Sequence, residues 1–300
     1  MIEISHYTRR NFLRTSLAVA AALNMKRAGF ALRSVALPEV CPLAAEQEVG
    51  PYYVAKEMVR AEIAEGRQGI PLSLKIILIN ARTCEPVRGA AVDLWHCDAR
   101  GIYSGYTRQS LMAGPPGGPP PGAPPSGFDP GRAPNGPPPG RMGPPPVNHP
   151  SDKLTFLRGI QMTADDGSVR FRTIFPGFYM GRTNHIHYKV RLGGHADGHT
   201  YLAGHTSHVG QVFFPEDLTV KLMQEAPYTL HRIHRTTQAE DGIFGGQHGS
   251  AAIATLRMGN TGQSPAALEA ELVAAVDPVA MPAPVGMGGF GGPPPPQPRG

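Results

Sequence analysis

The stretch Phe171 to Val190, FRTIFPGFYMGRTNHIHYKV, decides how this chain is read. From Asn184 it alternates as a strand does. Ile186, Tyr188, Val190 and Leu192 fall on one face, and His185, His187 and Lys189 on the other. At about 3.3 Å of rise per residue, side chains two apart start roughly 6.5–7 Å from one another, close enough for one metal ion to accept both imidazoles. Upstream, Pro176-Gly177 supplies a turn and Tyr179 follows it. A tyrosine followed by two histidines two apart is a candidate metal cluster; the alternative is an ordinary half-exposed strand.

Working outward, the 300 residues admit one or two domains. Gly 37 and Pro 33 exceed ordinary usage, so part of the chain is not packed core. Much of the excess lies in residues 114–146, where fifteen of 33 residues are proline and nine are glycine. Such a stretch has little apolar surface to bury and reads as an extended spacer inserted into a domain. From about Asp277 to residue 300 the tail repeats that composition and is expected to be disordered.

The N-terminus carries an address. Thr8-Arg9-Arg10-Asn11-Phe12-Leu13 is a twin-arginine pattern, followed by the apolar run Ser16 to Leu23, shorter than the ~20 residues that span a bilayer. Ser34-Val35-Ala36 is a cleavage candidate. Residues 1–36 therefore read as an export signal to the periplasm or beyond, with no stable membrane insertion after cleavage; a retained anchor and an amphipathic cytosolic helix are the alternatives. Six basic residues against Glu3 in this segment equal the net charge of +5 of the whole chain, so the remainder is near neutral and no nucleic-acid partner is implied. None of the three cysteines forms a Cys-x-x-Cys pair, which argues against structural zinc. An oxidising compartment permits one disulfide, for which Cys41–Cys84 is the expected pair, while Cys97 reads as a small buried hydrophobe.

Seven short strands are expected: Leu72–Asn80, Ala90–Cys97, Phe156–Thr163, Ser168–Phe175, the HIH strand, Val209–Phe214 and Ala251–Met258. Asp165-Asp166-Gly167 predicts a hairpin, Gly193 to Gly204 a His- and Gly-rich loop, and Pro215-Glu216-Asp217 the start of a short helix. Val54 to Gly69 reads as loop with one turn of helix at most. Many strands with few helices predict an all-β fold, a sandwich or barrel, within one domain spanning residues 37–276.

Tyr103, Tyr179, His185 and His187 form a candidate donor set. Phenolate is a hard anionic oxygen donor suited to Fe(III), and imidazole suits several transition metals. A free tyrosine titrates near 10, but a bound cation favours the phenolate.

The motifs GPYYV at Gly50, VDLWHCDARGIYSGY at Val92, TFLRGIQ at Thr155, FPGFYMGRTNHIHYKV at Phe175 and GQVFFPED at Gly210 resemble, in order, those of the intradiol ring-cleavage dioxygenases, the catechol 1,2- and protocatechuate 3,4-dioxygenase family, and most closely its exported twin-arginine branch. The resemblance implies a two-sheet β-sandwich holding one non-haem Fe(III). The implied ligands are Tyr103, with Tyr106 the neighbouring contender, then Tyr179, His185 and His187. It implies Arg182 as the residue stabilising carbanion-like substrate and Gln211 as a supporting glutamine. The implied reaction cleaves a catechol with O2 to a cis,cis-muconate, and the family admits homo-oligomers. Two features depart from the pattern: Asn184, where small residues are more usual, and the long 114–146 insertion. A carboxylate-bearing substrate would need a cation such as Arg108, Arg172 or Arg191. His96 and Cys97 read as supporting or core residues, and His195, His199, His205 and His208 as a solvated loop. One rival is a cupin-like Fe(II) site, which lacks the expected carboxylate shortly after His187. The other is an exported β-sandwich that binds phenolics or metal without turnover.

Overall fold

The computed structural model describes residues 41–55, 58–108, 149–258 and 267–285. The signal segment 1–36, the insertion 114–146 and residues 286–300 of the tail lie outside them.

Eight strands form two four-stranded sheets. β1 (Pro71–Asn80) alternates in burial as its sequence does, with Leu72, Leu74, Ile76 and Leu78 inward. It pairs antiparallel with β4 (Ser168–Ile174) and parallel with β8 (Leu268–Val276); β7 (Thr255–Met258) completes the order β4-β1-β8-β7. The second sheet has the order β3-β2-β5-β6, built from β2 (Ala91–Trp95), β3 (Arg158–Met162), β5 (Ile186–Asp197) and β6 (Thr200–Val212). Val92 and Leu94 of β2, with Ile186, Tyr188 and Val190 of β5, face the inward side chains of β1, β4 and β8 in one apolar core. The expected all-β sandwich is therefore present. Residues 58–63 close one side, bonding to Ile160 of β3 and Arg172 of β4, and Phe213 bonds to residues 252–254 on the other.

Four expectations need correction. The turn at Asp165-Asp166-Gly167 exists, but β3 and β4 belong to different sheets, so the chain crosses the sandwich there instead of forming a two-stranded hairpin. Each strand finds a better apolar partner elsewhere: β4 sets Phe171 beside Leu74, and β3 sets Gly159 beside Leu94. Gly193–Gly204 is not a loop; β5 and β6 run through it as one long hairpin. Its glycines read as breakers, yet Gly194 is where the Tyr201 ring lies, and a Cβ there would come within 2.3 Å of the tyrosine hydroxyl oxygen. β8 was not expected. Its Ala, Leu and Glu content favours helix, and pairing with β1 overrides that preference. The last expected strand shortens to β7, because residues Gly249–Ala252 form a 3-10 turn.

The expected helix is α1 (Glu216–Leu222), with Glu216 and Asp217 in its first turn; α2 (Gly242–Gly246) follows, capped by Asp241. Cys41 and Cys84 form a disulfide, and Cys97 is buried as a free thiol. Among the described residues no helix is long and apolar enough to cross a membrane.

Candidate metal centre

The outward face of the second sheet is buried where β2 and β5 lie side by side. Asp93 pairs with Lys189, and Trp95 with His187. The Trp95 indole lies flat on the His187 imidazole, centroids 5.0 Å apart and planes within 2°. The Gly50-Pro51 turn brings residues 48–52 over the same ring. Gly50 has φ +70°, and a Cβ there would sit 3.0 Å from His187 Cε1, so the close approach and the backbone conformation both call for glycine.

His185 immediately precedes β5. Its Nδ1–H donates to the Thr183 carbonyl at 2.7 Å, which leaves Nε2 with a lone pair. That Nε2 lies 3.1 Å from Nε2 of His187. Burial drives both imidazoles well below their ordinary pKa, so they are neutral. The Tyr179 ring lies 5.6 Å from that of His185, and the Tyr103 ring 5.8 Å from that of Tyr179. Tyr103 is placed by the turn after β2, in which Asp98 accepts from the Arg100 and Ile102 N–H groups. Tyr52 stacks on Tyr103 at 4.6 Å and meets Tyr179 edge-on. Tyr106, the contender for Tyr103, packs on Tyr52 and donates to the Tyr53 carbonyl. Burial pushes the Tyr103 and Tyr179 phenols well above 10 and that of Tyr52 up to about 12.

The donor set suits a hard trivalent cation. Two neutral imidazoles turn adjacent Nε2 atoms toward one another beside two buried phenols, whose ionisation needs a nearby positive charge. Among the described residues no group of three or more His, Cys, Asp or Glu is arranged to hold a metal. This set contributes only two such residues, both histidines, its other donors being tyrosines.

Arg182 adjoins the set; its N–H donates to the Tyr179 carbonyl. Its guanidinium is buried, and each of its three nitrogens has a partner. Nε meets both oxygens of Asp241 at 3.0 and 3.2 Å, Nη1 lies 3.4 Å from Glu48, and Nη2 donates to Oε1 of Gln211. Burial would favour discharging it, but Tyr179, Asp241 and Glu48 outweigh burial and hold it protonated. Burial raises the Glu48 carboxyl, opposed by Arg182. Gln211 lies opposite His187 in the β5–β6 register and is anchored by Gln47. All six site residues expected from the sequence are thus within one buried region.

The other expected positions fall elsewhere. Arg172 pairs with Glu62 on the exposed edge of the first sheet, Arg191 lies over the Tyr201 ring on the long hairpin, and Arg108 is exposed just beyond Tyr106. His96 is buried between the Cys97 carbonyl and the Thr173 hydroxyl. His195, His199, His205 and His208 are spread along the hairpin strands and their turn, and His208 is not solvated: it is buried between Glu46 and Tyr188.

Sequence reading did not find Asp241, Glu48 or Arg235 as parts of this region, and marked Asn184 only as a departure from the pattern. Asn184 Nδ2 donates to the Pro176 and Gly177 carbonyls at 2.9 and 3.0 Å, and its Oδ1 accepts from Arg235 Nε at 2.9 Å. Arg235 in turn forks onto Glu216. The departure at Asn184 therefore has a structural use: it ties the turn before Tyr179 to the strand that carries the histidines. Its signal was the departure itself. Asp241 gave no signal in the sequence, lying 59 residues from the arginine it binds.

The fold has close counterparts among solved structures. An intradiol ring-cleavage dioxygenase from Tetranychus urticae is 31% identical, with a TM-score of 0.61 over 81% of this chain and 98% of that one. A second solved dioxygenase is also 31% identical, with a TM-score of 0.60 over 81% of this chain and 97% of its own. No protein-family model matches the chain, and no curated protein matches it.

Proposed function

The chain belongs to the intradiol ring-cleavage dioxygenases and is an oxidoreductase of that type, and from this we propose that it cleaves a catechol between its two hydroxylated carbons, using O2 and one Fe(III), to a cis,cis-muconate. Both oxygen atoms enter the product. The observation that carries the reading is the convergence of Tyr103, Tyr179, His185 and His187 in one buried place.

These four residues would hold the iron, which when bound acts as a Lewis acid and template for the catecholate. The protein's own groups do the rest. The Thr183 carbonyl and the Trp95 ring orient the two imidazoles so that both present Nε2. Tyr179, as the phenolate a bound cation favours, would take a proton at Oη from the substrate hydroxyl, and burial, which raises this phenol, would keep the proton there. Arg182, charged and held from three sides, faces the negative charge that accumulates on the ring as it reacts. Tyr52, Tyr103 and Trp95 wall the site with aromatic surface and exclude water.

In this reading residues 1–36 are a twin-arginine signal, 37–276 the catalytic domain with 114–146 as a spacer, and 277–300 a tail. The mature enzyme works outside the cytoplasm. Twin-arginine export carries folded proteins, which suits a protein that takes up its metal before it leaves.

The test is purification with ferric iron and oxygen uptake with catechol. One iron per chain and a visible tyrosinate band are expected. Tyr103→Phe should lose much of the colour, and His185→Ala should lose iron. Arg182→Ala should keep both but turn over roughly 10²–10³ more slowly, as for one lost oxyanion donor. A colourless, fully iron-loaded protein would refute the tyrosinate assignment.

A further inference from the structure

Resting on that reading, we propose that Asp241 is a positioning residue for the reaction: it aims the Arg182 guanidinium. Its side chain is fully buried and its two oxygens serve four N–H groups. Arg182 Nε reaches both oxygens, Thr183 N–H donates to Oδ2 at 2.9 Å, and the Ile243 and Phe244 N–H groups donate to Oδ1 at 2.8 and 3.0 Å.

The anchoring point matters. An arginine held at Nε keeps both terminal nitrogens for other partners, and the anchor fixes the direction of that fork. Here the fork points at Glu48 and Gln211, and Gln211 sits opposite His187 in the strand register. Without Asp241 the nearest remaining carboxylate is Glu48, 3.4 Å from Nη1, and the guanidinium would turn toward it. The same carboxylate bonds the N–H of Thr183, whose carbonyl accepts from His185 Nδ1–H. One buried anion thus sets the direction of the cation, and it does so from a segment distant in sequence.

Asp241→Asn separates this role from helix capping. The amide oxygen can still accept from Ile243 and Phe244, while the charge facing Arg182 and one acceptor are lost. The expected result for catechol is a fall in kcat of about 10²-fold. KM should change less than roughly threefold, and iron content and the position of the visible band should be unchanged. The deciding measurement is Arg182→Ala combined with Asp241→Asn. If Asp241 acts through Arg182, the double variant is no slower than Arg182→Ala alone. Losses that multiply would overturn the proposal, because a merely structural contribution adds to the loss of Arg182. Should Asp241→Asn fail to fold, Arg182→Met is compared with Arg182→Met plus Asp241→Asn, in which charge and counter-charge are both gone. Equal kcat in that pair supports the role, and a further loss overturns it. A wild-type protein that neither binds iron nor consumes oxygen overturns the catalytic reading and this role with it. An active wild type with multiplicative losses overturns this role alone.

Discussion

Asn184→Ala is the substitution that most directly tests how the centre is built. Asn184 is 2% exposed, and its side chain donates to the carbonyls of Pro176 and Gly177 and, weakly, to Met223 Sδ, and accepts from Nε of Arg235. Truncation removes the donor from two buried carbonyls and the acceptor from a charged group. Each neutral bond is worth about 1 kcal/mol net and the bond to the guanidinium about 1.5–3 kcal/mol, for a sum of roughly 4 kcal/mol. Arg235 keeps its fork on Glu216, and a water can enter the vacated space, so about 3 kcal/mol is expected. At roughly 2–4 °C per kcal/mol for a domain of this size, the melting temperature should fall by about 10 °C. Because the lost bonds tie the turn before Tyr179 to His185, iron retention should suffer along with stability. Asn184→Asp should be at least as damaging, since it keeps an acceptor for Arg235 but turns a second oxygen toward two carbonyls. The assays are guanidinium unfolding of the iron-free protein and iron content after dialysis. An Asn184→Ala protein within 1 kcal/mol of wild type, and fully loaded, would refute the reasoning.

Three further outcomes are expected. Cys84→Ser opens a link between residues 43 apart, and chain entropy alone makes that worth about 4 kcal/mol, measured as a lower unfolding midpoint that reducing agent also produces in the wild type. Asp93 is buried, and burial raises its carboxyl to about 6 against a hydrogen bond from Tyr53; a raised acid binds its proton more tightly when folded, so its contribution is present at low pH and is lost as pH rises from about 4 to about 6. Asp93→Asn should remove about 3 kcal/mol of stability loss over that window, seen as a flatter dependence of unfolding free energy on pH than in the wild type. Deleting residues 114–146 should leave one cooperative melt, because loop closure changes by only about 0.6 kcal/mol per doubling of length; loss of that transition would show that the stretch is structural.

The period-two pattern of LSLKIILIN and of NHIHYKV was enough to assign strands, to divide their residues between core and site, and to bring His185 and His187 onto one side. Those properties depend on local geometry, which a few consecutive residues determine. The motifs around Tyr103, Tyr179 and the histidines suggested the proposed donor set, and each lies in a short segment with its own turn. Pairing was another matter. Whether β4 folds back on β3 or crosses to β1 depends on which apolar face it can bury, and β8, with a helix-prone composition, becomes a strand only beside β1. Gly194 and Tyr201 read as loop residues until the ring is seen lying on the glycine. The partners of Arg182 were least legible. Glu48, Gln211 and Asp241 come from three segments that meet only when the sandwich closes, and a buried charge takes whichever opposite charges the fold delivers to it. Sequence named the donors proposed for the metal; tertiary structure decided what holds those side chains in place.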